Sequence, residues 1–150
     1  MSLKEEVDIL RNIPLFAKIE PAKLKLLAFT SQRLSFASGE ALCRQGEPGD
    51  SAYIILDGEA EITIDTPAGK VTVAKVKRNA VIGEIAILID VPRTATVTAT
   101  SPLQALRIDK DTFFRLMTEF PQMAVEVMRE LARRLEVTNQ KLSAAVARTA

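Results

Sequence analysis

Apolar residues recur at helical spacing from Leu3 to Leu27, interrupted at Pro14 and Pro21, each able to open a new helical turn. The spacing predicts short helices over residues 1–30, with Leu24, Leu27 and Ala28 on one apolar face and Lys23 and Lys25 turned to water. From Arg33 to Val97 the period changes. SAYIIL, AEITID, KVTVAKV and RTATVTAT show alternation and β-branched runs, the mark of short strands. Turn chemistry separates them at Ser38-Gly39, Gly46 to Asp50 around Pro48, Asp57-Gly58, Pro67 to Gly69, and Pro102. About eight strands at that spacing predict a roll or barrel. After LQALRI, Asp109 or Asp111 can cap a helix running through Glu119, and Pro121 opens a longer one toward Arg148. On that last helix Met128, Leu131, Leu135 and Leu142 form an apolar stripe, able to pack on the roll or on a partner helix. Helices, then many strands, then helices favour an α+β domain over βαβ units. The expected organisation is a single domain over 1–150, with N-terminal helices at 1–30, a β-roll at 31–108 and C-terminal helices at 109–150.

Composition narrows the chemistry. A chain of 150 residues can bury roughly 70% of its unfolded surface, enough for a core without disulfides or metal. It has no His and one Cys, Cys43, so a His-Cys zinc site, a four-Cys cluster, a His-ligated haem and a Ser-His-Asp triad are all excluded. Neither a metal nor a cofactor is expected, and the domain is not expected to be an enzyme. Cys43, within a β-rich run, reads as a small core residue rather than a redox sensor. The 20 Lys and Arg are interspersed with 19 Asp and Glu, which gives little attraction for nucleic acid or an anionic membrane. Arg129, Arg133 and Arg134 alternate with Glu126, Glu130 and Glu136 at helical spacings and read as a solvated, salt-bridged face. The apolar run from Val81 to Val91 is cut by Gly83, Glu84 and Asp90 and falls short of the ~20 residues of a membrane span. MSLKEEVDIL is acidic where a signal peptide is apolar, so a cytoplasmic location is expected.

One segment, residues 81–97, breaks the strand pattern: VIGEIAILIDVPRTATV. Gly83 can leave a strand at unusual torsions, Glu84 favours the positive end of a helix, and Ala86 to Leu88 are good helix formers before Asp90 and Pro92 stop the turn. The first amides of such a helix lack intrahelical partners, and Arg93 supplies a guanidinium nearby in sequence. This is the composition of a phosphate cradle.

The same segment resembles the phosphate-binding cassette of the cyclic-nucleotide-binding domains found in cAMP-dependent kinase regulatory subunits, catabolite-activator-type regulators and nucleotide-gated channels. GEPGDSAYIILDGEAEI, residues 46–62, is similar to that family's second signature, IPLFAKIEPAKLKLLA to its N-terminal helices, and the helix after Pro121 to its C-terminal helix. The resemblance implies an antiparallel β-roll of the double-stranded β-helix, jelly-roll-like kind, with a short helix in the cassette. It implies that Arg93 grips a cyclic phosphate, that Glu84 accepts a hydrogen bond from the ribose 2′-hydroxyl, and that the amides of Gly83, Ile85, Ala86 and Thr94 complete the contacts. The chemistry agrees, since a guanidinium fork suits a phosphodiester and a carboxylate accepts from a hydroxyl. Asn79, Ala80 and Ile82 stand where the family usually has Gly, Asp and an aromatic. Asn tolerates the left-handed turn, so the hairpin survives. With no Trp, an aliphatic from the C-terminal helix has to cover the base.

The resulting expectation is a sensor that binds a cyclic mononucleotide, cAMP ahead of cGMP, and transmits occupancy through its C-terminal helix to a second copy of the chain or an effector. The resemblance implies that Thr94 stands where a hydroxyl can reach the amine of guanine, as in cGMP-binding members of the family, but cAMP-binding members carry it as well. Two other readings are a ligand-free interaction domain on the same scaffold, and the effector part of a transcription regulator whose DNA-binding part lies outside this sequence.

Overall fold

The computed structural model describes residues 2–13 and 16–149, with the backbone alone at 84, 85 and 149. The turn expected at Pro14 lies outside the described residues. Helices α1 (Leu3–Arg11) and α2 (Pro21–Thr30) lead into strands β1 (Gln32–Phe36), β2 (Ala41–Cys43), β3 (Ser51–Asp57), β4 (Glu59–Thr66), β5 (Gly69–Lys77) and β6 (Val81–Ile82). The short helix α3 (Glu84–Leu88) follows, then β7 (Thr96–Ala99), β8 (Leu103–Asp109), α4 (Lys110–Glu119) and α5 (Pro121–Thr149). The strands form two antiparallel sheets in the orders β1-β8-β3-β6 and β2-β7-β4-β5, which is the expected β-roll between helices.

Strand β3 shows why the sheets face each other. Six of its seven residues are buried in succession, so both faces are covered. Its even positions Ala52, Ile54 and Leu56 meet the helices in a cluster with Phe16, Leu24, Phe113 and Met123. The odd positions Tyr53 and Ile55 enter the roll interior with Leu42, Cys43, Val97 and Ala105. One face of the sheet thus holds the helices, and the other holds the roll together.

Local rules place the helix ends. Pro21 opens α2, whose buried face is Leu24, Leu27 and Ala28 as the spacing predicts. Of the two candidate caps for α4, Asp109 is the one used: its carboxylate accepts from the Thr112 amide at 2.8 Å, and that hydrogen bond holds its pKa below the ordinary aspartate value. Glu6 on α1 is buried and finds its counter-charge in Arg33 of β1. A carboxylate at that depth needs such a partner, so the pair fixes how α1 lies against the roll.

Helix α5 departs from the stripe that the sequence suggests. Met123 and Val127 are buried and Leu131 is half-buried, so a four-residue spacing faces the body. Met128, Leu135 and Leu142, at seven-residue spacing, are about 60% exposed, at 60%, 62% and 61%. From Ala132 to Arg148 every residue is exposed, so the distal helix projects beyond the roll. An exposed stretch of that length gains little from burial and is marginal as a helix in water.

Candidate functional site

The cassette assembles around one buried guanidinium. Strand β6 ends at Ile82, and Gly83 takes φ +88, a left-handed torsion that lets the chain turn directly into α3. A Cβ on Gly83 would run into Nη1 of Arg93, so the glycine is required by space as well as by torsion. Arg93 is only 5% exposed. Its Nη1 donates to the Gly83 carbonyl at 3.3 Å and its Nη2 to Ser51 Oγ at 3.2 Å. The Tyr53 ring lies beneath it, 5.8 Å from the guanidinium carbon.

The backbone of Arg93 is clamped too. Its amide donates to the Glu47 carbonyl at 2.7 Å, and its carbonyl accepts from the Gly46 amide at 2.9 Å. The Glu47 carboxylate in turn accepts from the Arg44 amide at 2.7 Å. Thus the turn from Gly46 to Asp50, remote in sequence, sets the position of the arginine. The same turn presses on α3, for a Cβ on Gly49 would strike Ala86. Close approach explains why both positions are small.

Among the described residues, charge around Arg93 is incompletely balanced. The nearest carboxylate among the described residues is that of Asp50, 68% exposed, whose Oδ1 stands 3.8 Å from Nη2 while its Oδ2 lies 3.5 Å from Arg107. A guanidinium held out of water with so distant and wet a counter-ion can receive an anion, and its planar fork suits phosphate.

Arg93 opens onto a cavity of about 560 Å³, within the usual size of a small-molecule site. Gly83, Ala86, Arg93 and Thr94 line it from the cassette, Cys43, Ile62, Val76, Ile82 and Val97 from the roll, and Val127, Glu130, Leu131 and Arg134 from α5. Burial pushes the Cys43 thiol up, and the nearby Arg93 offsets this in part. The thiol therefore stays protonated at neutral pH and acts as an apolar wall.

Of the residues singled out from sequence, Gly83, Ala86, Arg93 and Thr94 come together on this cavity. Thr94 is not in a strand, since β7 begins only at Thr96. Glu84 and Ile85 start α3, but their side chains lie outside the described residues. Asn79 takes φ +76, the left-handed turn expected of it. Val127 and Leu131 are the aliphatic residues of the last helix that line the cavity. Sequence reasoning missed Asp50, Ser51 and Tyr53 as partners of Arg93, although all three stand in the second signature. It also missed the charged residues of α5 as lining.

The model of the cyclic nucleotide-binding domain family matches residues 33–120, from the first strand through α4. The chain belongs to the cyclic nucleotide-binding domain family. It is 30% identical over 137 residues to a CRP-like cAMP-activated global transcriptional regulator of Mycobacterium tuberculosis, covering 91% of this chain and 61% of that protein. It is 34% identical over 143 residues to a cAMP-dependent protein kinase regulatory subunit of Dictyostelium discoideum, covering 93% of this chain and 40% of that one. The chain therefore spans about three fifths or less of these relatives. Among solved structures, the N-terminal domain of a transcriptional regulator from Streptomyces coelicolor A3(2) superposes with a TM-score of 0.70 at 32% identity, covering 89% of this chain and 96% of that one. These relatives are regulatory proteins, and the buried arginine lies inside the segment that the cyclic nucleotide-binding domain model matches. No helix of the described residues is long and apolar enough to cross a membrane, and they contain no group of three or more potential metal ligands.

Proposed function

We propose that this chain is a cytoplasmic cyclic-nucleotide sensor, not an enzyme, that takes cAMP in preference to cGMP and transmits occupancy through α5. The observation that carries the reading is the buried Arg93 guanidinium facing a cavity of nucleotide size, its nearest carboxylate among the described residues distant and exposed. In this reading Arg93 grips the cyclic phosphate. Glu84 accepts from the ribose 2′-hydroxyl, and the amides of Gly83, Ile85, Ala86 and Thr94 complete the contacts. The preference for cAMP draws its support from the two relatives described as cAMP-activated and cAMP-dependent.

Transmission requires that the ligand touch two arrangements of α5 differently. Val127 and Leu131 line the cavity and also pack on the helical core, so a base lying against them alters what α5 gains by staying docked. The exposed Met128, Leu135 and Leu142 offer the projecting half a face for a second copy of the chain or an effector helix. Calorimetric titration with cAMP, cGMP and 2′-deoxy-cAMP tests the binding half. Saturable binding is expected in the order cAMP, cGMP, with the deoxy analogue weaker than cAMP because it lacks the hydroxyl assigned to Glu84. A deoxy analogue as tight as cAMP would remove Glu84 from the site, and no binding at all would overturn the sensor reading.

A further inference from the structure

Outside the cassette and α5, the described residues that line the cavity are apolar with one exception, Asn79, once the protonated thiol of Cys43 is counted with the apolar wall. Asn79 stands in the turn between β5 and β6, where the family usually has a glycine. The turn asks only for a residue that tolerates φ +76, and a glycine meets that demand without strain. The carboxamide is therefore not needed by the turn. Backbone hydrogen bonds fix where it starts: the Asn79 amide donates to the Ile55 carbonyl at 2.9 Å, and the Ile55 amide donates to the Ala80 carbonyl at 3.0 Å. Ile55 is fully buried in β3, so the anchor is close-packed. The carboxamide itself has no partner among the described residues. Asn79 precedes Gly83, whose carbonyl accepts from Arg93, by four positions, so the two lie no more than about 14 Å apart. A nucleotide with its phosphate on Arg93 can bring its base to the Asn79 turn across that distance.

We propose that Asn79 reads the N6/N7 edge of adenine, its carboxamide oxygen accepting from the exocyclic amine and its amide nitrogen donating to N7. This rests on the sensor reading above. A carboxamide carries an acceptor and a donor side by side, which matches an amine next to a ring nitrogen. The corresponding edge of guanine presents two acceptors, O6 and N7, so the carboxamide oxygen finds no donor there. Asn79 thus becomes a specificity-determining residue, and the preference for cAMP gains a physical cause. Because Asn79 is exposed, water competes for the same groups and keeps the effect moderate.

The test is calorimetry on the full chain with cAMP, cGMP and the cyclic monophosphate of purine riboside, which keeps N7, sugar and phosphate but lacks the amine. The unmodified chain should bind cAMP about 3- to 10-fold tighter than the amine-free ligand, within the range of an ordinary hydrogen bond. Asn79→Gly should erase that gap, since cAMP then loses the amine contact that the other ligand never had, and should narrow the ratio of cAMP to cGMP affinity by a similar factor. Glycine keeps the positive φ of the turn, so this variant should fold as the parent does. Asn79→Asp, which tolerates the same turn and keeps an acceptor, should retain the gap to the amine-free ligand. No gap in the unmodified chain, a gap that survives Asn79→Gly, or loss of all binding in that variant overturns the assignment of Asn79 and leaves the phosphate reading standing. An unmodified chain that binds none of the three ligands overturns both.

Discussion

Arg93→Ala should weaken cAMP binding by about 1.5–3 kcal/mol, or about 10- to 150-fold, the range for hydrogen bonds to a charged group. The cassette between Gly83 and Val97 contains no other Arg or Lys to take over. The loss should fall on affinity and spare the fold. Among the described residues Arg93 is a buried charge with a distant, solvated carboxylate partner, so removing it relieves a desolvation cost as well as deleting two hydrogen bonds. Calorimetry with cAMP, accompanied by a urea melt of the same variant, separates the two effects. A variant that binds like the parent would disprove the phosphate assignment.

Phe113→Ala should have the opposite profile, with a loss of stability of about 3–5 kcal/mol, as expected for removing a fully buried phenylalanine. Phe113 lies in the cluster that joins α1, α2, α4 and α5 to the outer face of the β1-β8-β3-β6 sheet. Against a typical total of about 5–15 kcal/mol that loss leaves little margin. Its neighbour provides the control. Phe114 is 38% exposed and touches Phe113 edge-on at 6.5 Å, so Phe114→Ala should cost about 1 kcal/mol, the value of an aromatic pair. Urea midpoints at unchanged slope measure both. Equal losses in the two variants would show that α4 is not anchored through Phe113.

Much of this architecture is legible in the chain because the responsible signals are local. Strand alternation, the glycine and proline turns, the Asp109 cap and the helix opened by Pro21 each depend on residues within a few positions of one another. The cassette is legible for the same reason: Gly83 and Arg93 lie ten residues apart, and their contact follows once the short helix forms between them. What the sequence hides is contact between distant segments. Ser51, Asp50 and Tyr53 become partners of Arg93 only because β3 pairs with β6, which brings Tyr53 opposite Ile82, beside Gly83. The charges of α5 do form the salt-bridged face that their spacing predicts, with Arg129–Glu126 and Arg133–Glu130 pairs. That the same face borders a cavity depends on where the helix docks, which periodicity does not encode. The apolar stripe is the clearest case. Spacing puts Met128, Leu131, Leu135 and Leu142 on one stripe, and only the docked structure splits it, with Leu131 joining Val127 against the body while Met128, Leu135 and Leu142 face water.

Occupancy of the cavity should therefore be felt most strongly along α5. Residues of its first half line the cavity, and its described side chains are exposed from Ala132 to Arg148. Amide hydrogen exchange over residues 122–145, with and without saturating cAMP, reads that coupling directly. The sensor account predicts a change in protection there that exceeds any change in the strands between Arg33 and Val76. Equal and negligible changes in both regions, under conditions where cAMP is bound, would contradict it and leave a binding domain without a switch.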